Sequence, residues 1–226
     1  MNGLWRCAKY AFSPNKLKYC GPDKNQELAG YLKTKTSDLG LKEMLNDFRA
    51  MQPYLKLIAN ENGIKDEFDE QAVEAYWLGN ELLDTITLKS FFNHVRPQLA
   101  KNDLKWFEFK LPLGAKPHHS FHVFNFFKRA GHRAVPHTVE TMDQCRISVG
   151  KVMSKLTVIT DQLVFRSGKL KLEPVVKKVQ SLDNDLKPGD LVTIHWNCVC
   201  EKVTQQQAKN LEKYTRLALR LANLTV

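Results

Sequence analysis

A thiol and an imidazole in the second half of this chain are expected to form one site, at which a metal ion could bind or a proton could pass between them. Cys145 lies in "CRISVGKV", five positions ahead of Gly150, and His195 closes "KPGDLVTIH", a turn followed by an alternating strand pattern. A thiolate is both a soft ligand and a nucleophile, and an imidazole can ligate, accept a proton or hold the thiol ionised. Two chemistries follow: a metal site, or a cysteine nucleophile served by His195 and an acid such as Asp143 or Asp190. A second group is "PHHSFHVF", in which His118 and His119 stand four and three residues ahead of His122. On a helix such spacings share a face. With Cys20 of "YCGPD", where Gly21-Pro22 must turn the backbone, these histidines make a candidate secondary metal site. The same histidines, set among Phe121, Phe124, Phe126 and Phe127, also read as hydrogen-bonded core residues, and Cys20 as a small buried hydrophobe. Cys198 and Cys200 alternate and share one strand face, and with Cys7 they read as packing. No zincin, P-loop, nucleophile-elbow or dinucleotide motif is present.

The elements that must position these groups change character along the chain. In "SDLGLKEMLNDFRAMQPYLKLIANENG", Leu41, Met44, Leu45, Phe48 and Met51 follow helical spacing, Ser37 or Asp38 can cap the start, Pro53 divides the run into two helices, and Asn62-Gly63 stops it. Val73, Tyr76, Trp77 and Leu83 continue the helical pattern, and a short helix precedes Pro97. Residues 1–103 therefore read as a helical region. Residues 104–144 mix aromatics and histidines with Pro and Gly, and predict a strand or extended connector with one helix near 119–129. From Cys145 the period becomes two: "CRISVGKVMS", "KLTVIT", "QLVFR", "KLKLEPVVKKV" and "DLVTIHWNCVCEKV" are short strands separated by turn chemistry, which close most easily into a small barrel. Thr204 with Gln207 predicts a capping box, and Ala208, Leu211, Thr215, Ala218 and Ala222 mark the inward face of a terminal helix. The expected fold is α+β: a helical region packed on a C-terminal small β-barrel (145–226) followed by that helix.

A chain of 226 residues, 43% of them hydrophobic, can bury a real core. No apolar run approaches the length of a membrane span, and the first residues lack a signal-peptide pattern. Five cysteines without the spacing of a secreted scaffold fit a reducing compartment, and the chain is expected in the cytoplasm. The net charge of +10 raises nucleic acid as a partner. All of the excess lies after residue 103, however, where lysines alternate with apolar residues as on the solvent face of strands, and no aromatic stacking signature accompanies them. A basic RNA-binding barrel thus ranks behind a metal site and a cysteine-dependent hydrolase or transferase.

The segment from Cys145 to about Leu224 resembles the HypC/HupF-type chaperone family of nickel-iron hydrogenase maturation. The resemblance is carried by Cys145 with Gly150, by "GKV", by "PGDLVTIH" ending in His195, and by a helix whose Ala208 lies thirteen residues further on. It implies a non-enzymatic metallochaperone with a small barrel and a helix. It further implies an iron centre bearing cyanide and carbon monoxide, a scaffold partner and a hydrogenase large subunit as recipient, with Cys145 as ligand and His195 as its partner. The whole chain also resembles an uncharacterised prokaryotic family through "YAFSPNKLKYCGP", "PHHSFHVF", "MDQCRIS" and "HWNCVC".

Overall fold

The computed structural model describes residues 2–126, 131–182 and 185–225. Seven helices come first: α1 (Gly3–Lys16), α2 (Asn25–Thr34), α3 (Leu39–Asn46), α4 (Gln52–Glu61), α5 (Glu70–Trp77), α6 (Leu82–Thr85) and α7 (Leu88–Val95). Their ends follow local chemistry. Asp38 accepts the Leu41 N–H at the start of α3, and Pro53 sits in the first turn of α4, where its missing N–H costs nothing. Gly63, at φ +66°, follows the Asn62 cap that ends α4.

Residues 104–144 depart from the expected extended connector. Among the described residues they carry three α-helices, α8 (Lys101–Lys110), α9 (His119–Asn125) and α10 (Val139–Cys145), and a 3-10 turn at Leu111–Leu113, and α8 crosses the boundary expected at 103. The alternation of "LKWFEFKL" resembles a strand, yet as a helix it buries Phe107 and the Lys110 stem while Trp106 and Phe109 face outward. The helix expected near 119–129 ends at Asn125, and Phe127 lies outside the described residues. Cys145, expected in a strand, is the last residue of α10. A capping box between Thr138 and Thr141 starts this helix and carries it through the thiol.

Six strands follow: β1 (Ser148–Ser154), β2 (Thr157–Arg166), β3 (Lys169–Lys178), β4 (Gln180–Ser181), β5 (Leu191–His195) and β6 (Cys198–Lys202). The runs "KLTVIT" and "QLVFR" join into the single strand β2, which returns through Ser167-Gly168, both at positive φ. The sheet order is β3-β2-β1-β5-β6-β4. β4, continuing β3 on the far side of β6, adds only two parallel pairs, so the sheet curls into a half-barrel. Val152, Val158, Val179, Val192, Ile194 and Val199 fill its interior. Gly150 is required there, because a Cβ would lie 2.7 Å from the Ile194 Cδ1 and 3.3 Å from the Val158 Cβ. Lys151, Lys169, Lys171 and Lys178 are exposed on the strands, as a solvated face requires.

The terminal helix α11 (Gln205–Ala222) starts from the Thr204–Gln207 capping box and buries Ala208, Leu211, Thr215, Ala218 and Ala222. A second, larger core takes in the inward faces of the first helices together with Cys145, Ile147, Leu163, Trp196, Cys200 and α11. Helical region and half-barrel therefore share one apolar interior. At its centre Arg6 of α1 binds Glu201 of β6 at 2.9 Å and Glu74 of α5 at 2.8 Å, and the Tyr10 hydroxyl donates to Glu201 at 2.7 Å. No helix among the described residues is long and apolar enough to cross a membrane.

Candidate metal centre

Cys145 and His195 reach each other from different elements, tied through their neighbours. The hairpin between β5 and β6 turns at Trp196-Asn197, both at positive φ, and the Trp196 N–H donates to the Gln144 carbonyl at 2.7 Å. Residues 144 and 196 are thus clamped, and the thiol and imidazole beside them face one cavity. On the other side of Cys145, Arg146 and Asp143 form a buried ion pair at 2.9 Å. Asp143 also accepts the Leu163 N–H at 2.8 Å, and Arg146 donates to the Asp161 carbonyl, so the end of α10 takes up β2 backbone groups beyond the last β1 pair at Gly150–Thr160. The "MDQCRIS" block is therefore a seat for Cys145.

His195 has a defined tautomer. Its Nδ1 lies 2.7 Å from the Tyr10 carbonyl, which can only accept, so Nδ1 carries the proton and Nε2 the lone pair of the neutral ring. Tyr10 is itself held by Glu201, by the Thr193 hydroxyl at 3.0 Å, and by stacking on Trp77 at 5.0 Å. Trp77 in turn packs on His119 and His195. A backbone carbonyl thus orients the imidazole, as commonly seen behind a metal-binding histidine.

His119 is the third member. Its donor nitrogen, the Cys145 Sγ and a His195 nitrogen lie within 4.8 Å of one another, and all three residues are buried. His119 Nε2 lies 2.9 Å from the Cys145 carbonyl and so donates, while Nδ1 accepts from the Tyr76 hydroxyl at 3.2 Å. Burial first, then the proximity of His195, hold His119 well below the ordinary imidazole range, so it stays neutral. Burial likewise pushes the Tyr76 hydroxyl upward.

The cavity, of about 40 Å³, is lined by Cys20, Met51, His119, His122, Cys145 and His195 among apolar and aromatic neighbours, with no carboxylate, lysine or arginine among the described residues. It suits a small inorganic group, and falls far short of a drug-sized pocket. Cys20, His119 and His122, expected at a secondary site, thus share the wall of the Cys145–His195 site. His118 does not line it. It is the N-cap of α9, where its Nδ1 accepts the Ser120 N–H at 3.1 Å and its ring stacks on Tyr214. His122 bonds the Tyr54 hydroxyl through Nδ1 at 3.1 Å. The helical spacing of His118 and His122 does not pair them, because residue 118 has extended backbone. Cys7 packs its Sγ 3.2 Å from the Met51 Sδ, and burial pushes its thiol up to about 12.

The acids considered for a cysteine nucleophile are engaged elsewhere. Asp143 serves Arg146 and Leu163, while Asp190 bonds Lys202 at 3.0 Å and accepts the Lys187 N–H. Tyr10, Tyr76 and Trp77 escaped the sequence reading because they act on the site from the helical region. The signal available was their aromatic clustering, which reads equally as core.

A family model, the family of unknown function DUF6390, matches residues 1–226, and the chain belongs to that family. No curated protein and no solved structure matches it.

Proposed function

We propose that this DUF6390 protein is a non-enzymatic metallochaperone or accessory protein that holds an iron centre at Cys145 and His195, related to nickel-iron hydrogenase maturation. The observation that carries this reading is the convergence of Cys145, His195 and His119 within 4.8 Å on one buried cavity. The donor set fits the cargo: a thiolate and a neutral imidazole suit low-spin iron, and an apolar wall suits a small uncharged ligand such as carbon monoxide on it. The chain's own work is to bind through Cys145 Sγ and His195 Nε2, to orient both through Trp196, Gln144 and Tyr10, and to shield the group from water. His119 fixes the Cys145 carbonyl. The hydrogenase connection, the scaffold or large-subunit partner and a cytoplasmic location rest on the resemblance of the half-barrel segment and on the five thiols. The outward lysines serve solvation, and no nucleic-acid partner is proposed.

The test is anaerobic purification from cells making the full maturation machinery, followed by iron analysis and infrared spectroscopy in the cyanide and carbonyl stretching region. Bound iron with those bands, lost in Cys145→Ala, is the expected result. A parent protein that never carries iron overturns it.

A further inference from the structure

Cys20 lies on the loop between α1 and α2, far from Cys145 and His195 in sequence, yet it lines their cavity. It is partly exposed, whereas Cys145 and His195 are buried. Three contacts seat it there. Gly21, at φ +77°, lies against Phe48 so closely that a Cβ would come within 2.4 Å of the ring, which draws the turn down onto the cavity wall. Asn15 Nδ2 donates to the Cys20 carbonyl at 2.9 Å and the Pro22 carbonyl at 2.7 Å. Tyr19 packs its ring on Trp196 at 4.9 Å, and the Trp196 N–H is the donor to Gln144. The residues next to Cys20, His195 and Cys145 therefore touch one another in a chain, Tyr19 to Trp196 to Gln144.

Charge supplies the second argument. A bare divalent ion, before any anionic ligand such as cyanide joins it, keeps a unit of positive charge when one thiolate binds it, and among the described residues no carboxylate lines the cavity to offset that charge. Two thiolates leave none, and Cys20 and Cys145 are the two cysteines that line the cavity. We infer that Cys20 is a second thiolate ligand of this centre, moving inward from the cavity rim to complete a neutral Cys20–Cys145–His195 site for a divalent transition-metal ion. This rests on the metal-binding reading above and extends it. Cys20 does not belong to the trio within 4.8 Å, so closure brings its side chain inward from the held Cys20–Gly21 turn. His119 keeps its bond to the Cys145 carbonyl.

The probe is cobalt(II) alone, added anaerobically to the full chain, with near-ultraviolet thiolate-to-metal charge transfer and affinity as readouts. Cys20→Ser and Cys145→Ser should each lower the charge-transfer intensity to about half and weaken binding by more than about tenfold. Cobalt should also slow alkylation of Cys20 in the unaltered protein, a measurement that needs no variant to fold. Metal-free far-ultraviolet circular dichroism identifies any variant that has lost its fold. Intensity, affinity and alkylation all indifferent to Cys20, with Cys145→Ser still abolishing the band, overturn this inference and leave Cys145 and His195 as the binding pair. A protein that takes up no cobalt at all overturns both the inference and metal binding.

Discussion

At the scale of single residues, histidine protonation governs how this core responds to acid. Burial holds His118 far below its ordinary value of 6.5, at about 3, and His119 is held low as well. The folded state then refuses a proton that the unfolded chain accepts. For His118, stability is full above pH 6.5 and falls as pH drops toward 3, by about 1.4 kcal/mol per pH unit, and His119 acts in the same direction. His118→Asn keeps a good helix N-cap without the titration. Urea unfolding at pH 7 and pH 5 should show a shallower acid loss for that variant than for the parent, and equal slopes would remove His118 from the account. The residue types at the centre were legible: Cys145 and His195 stand out in their motifs. Their holders were not, because the Tyr10 carbonyl is a backbone group that any residue type could supply and Tyr76 reads as core.

At the scale of elements, the inward face of α11 and its capping box were legible from spacing alone, since an amphipathic helix writes its burial into its period. The identity of α10 was not. The alternating types of "CRISVGKV" continue smoothly into β1, and only the Thr138–Thr141 box upstream says that a helix runs through Cys145. The seating of α11 depends on a feature no pattern announces: Tyr214 lies over Gly79, which has φ +87°, and donates to the Asn80 carbonyl at 3.0 Å. A Cβ at residue 79 would lie 2.0 Å from the Tyr214 ring. Gly79→Ala should therefore cost about 2–4 kcal/mol. Gly150→Ala, which meets the movable end of Ile194, should cost only about 1–2 kcal/mol. Denaturation midpoints of the two variants give the comparison, and a Gly79→Ala protein as stable as the parent would contradict the contact.

At the scale of the whole molecule, packing of helices on a half-barrel was legible because neither apolar face could remain exposed, whereas the Arg6–Glu201 pair that crosses their junction was not. Arg6 sits in a segment of "LWRCAKY" that reads as apolar, and Glu201 in a strand whose outward charges look alike. Both are buried, and removing Glu201 leaves the Arg6 guanidinium with Glu74 and the half-exposed Glu70 while taking the acceptor from the Tyr10 hydroxyl. Glu201→Ala should destabilise the protein by about 3–5 kcal/mol, with helices and sheet lost in a single transition at the same denaturant concentration. Separate transitions would mean that the halves fold independently.

The clamp between Trp196 and Gln144 also governs how Cys145 and His195 can separate. Because one amide hydrogen bond joins the residue after the imidazole to the residue before the thiol, their backbones stay together while it holds. On the proposed metal-binding reading, the spacing of thiol and imidazole would hold until this amide opens, and a docking partner that competes for the Gln144 carbonyl would loosen the pair without touching either side chain.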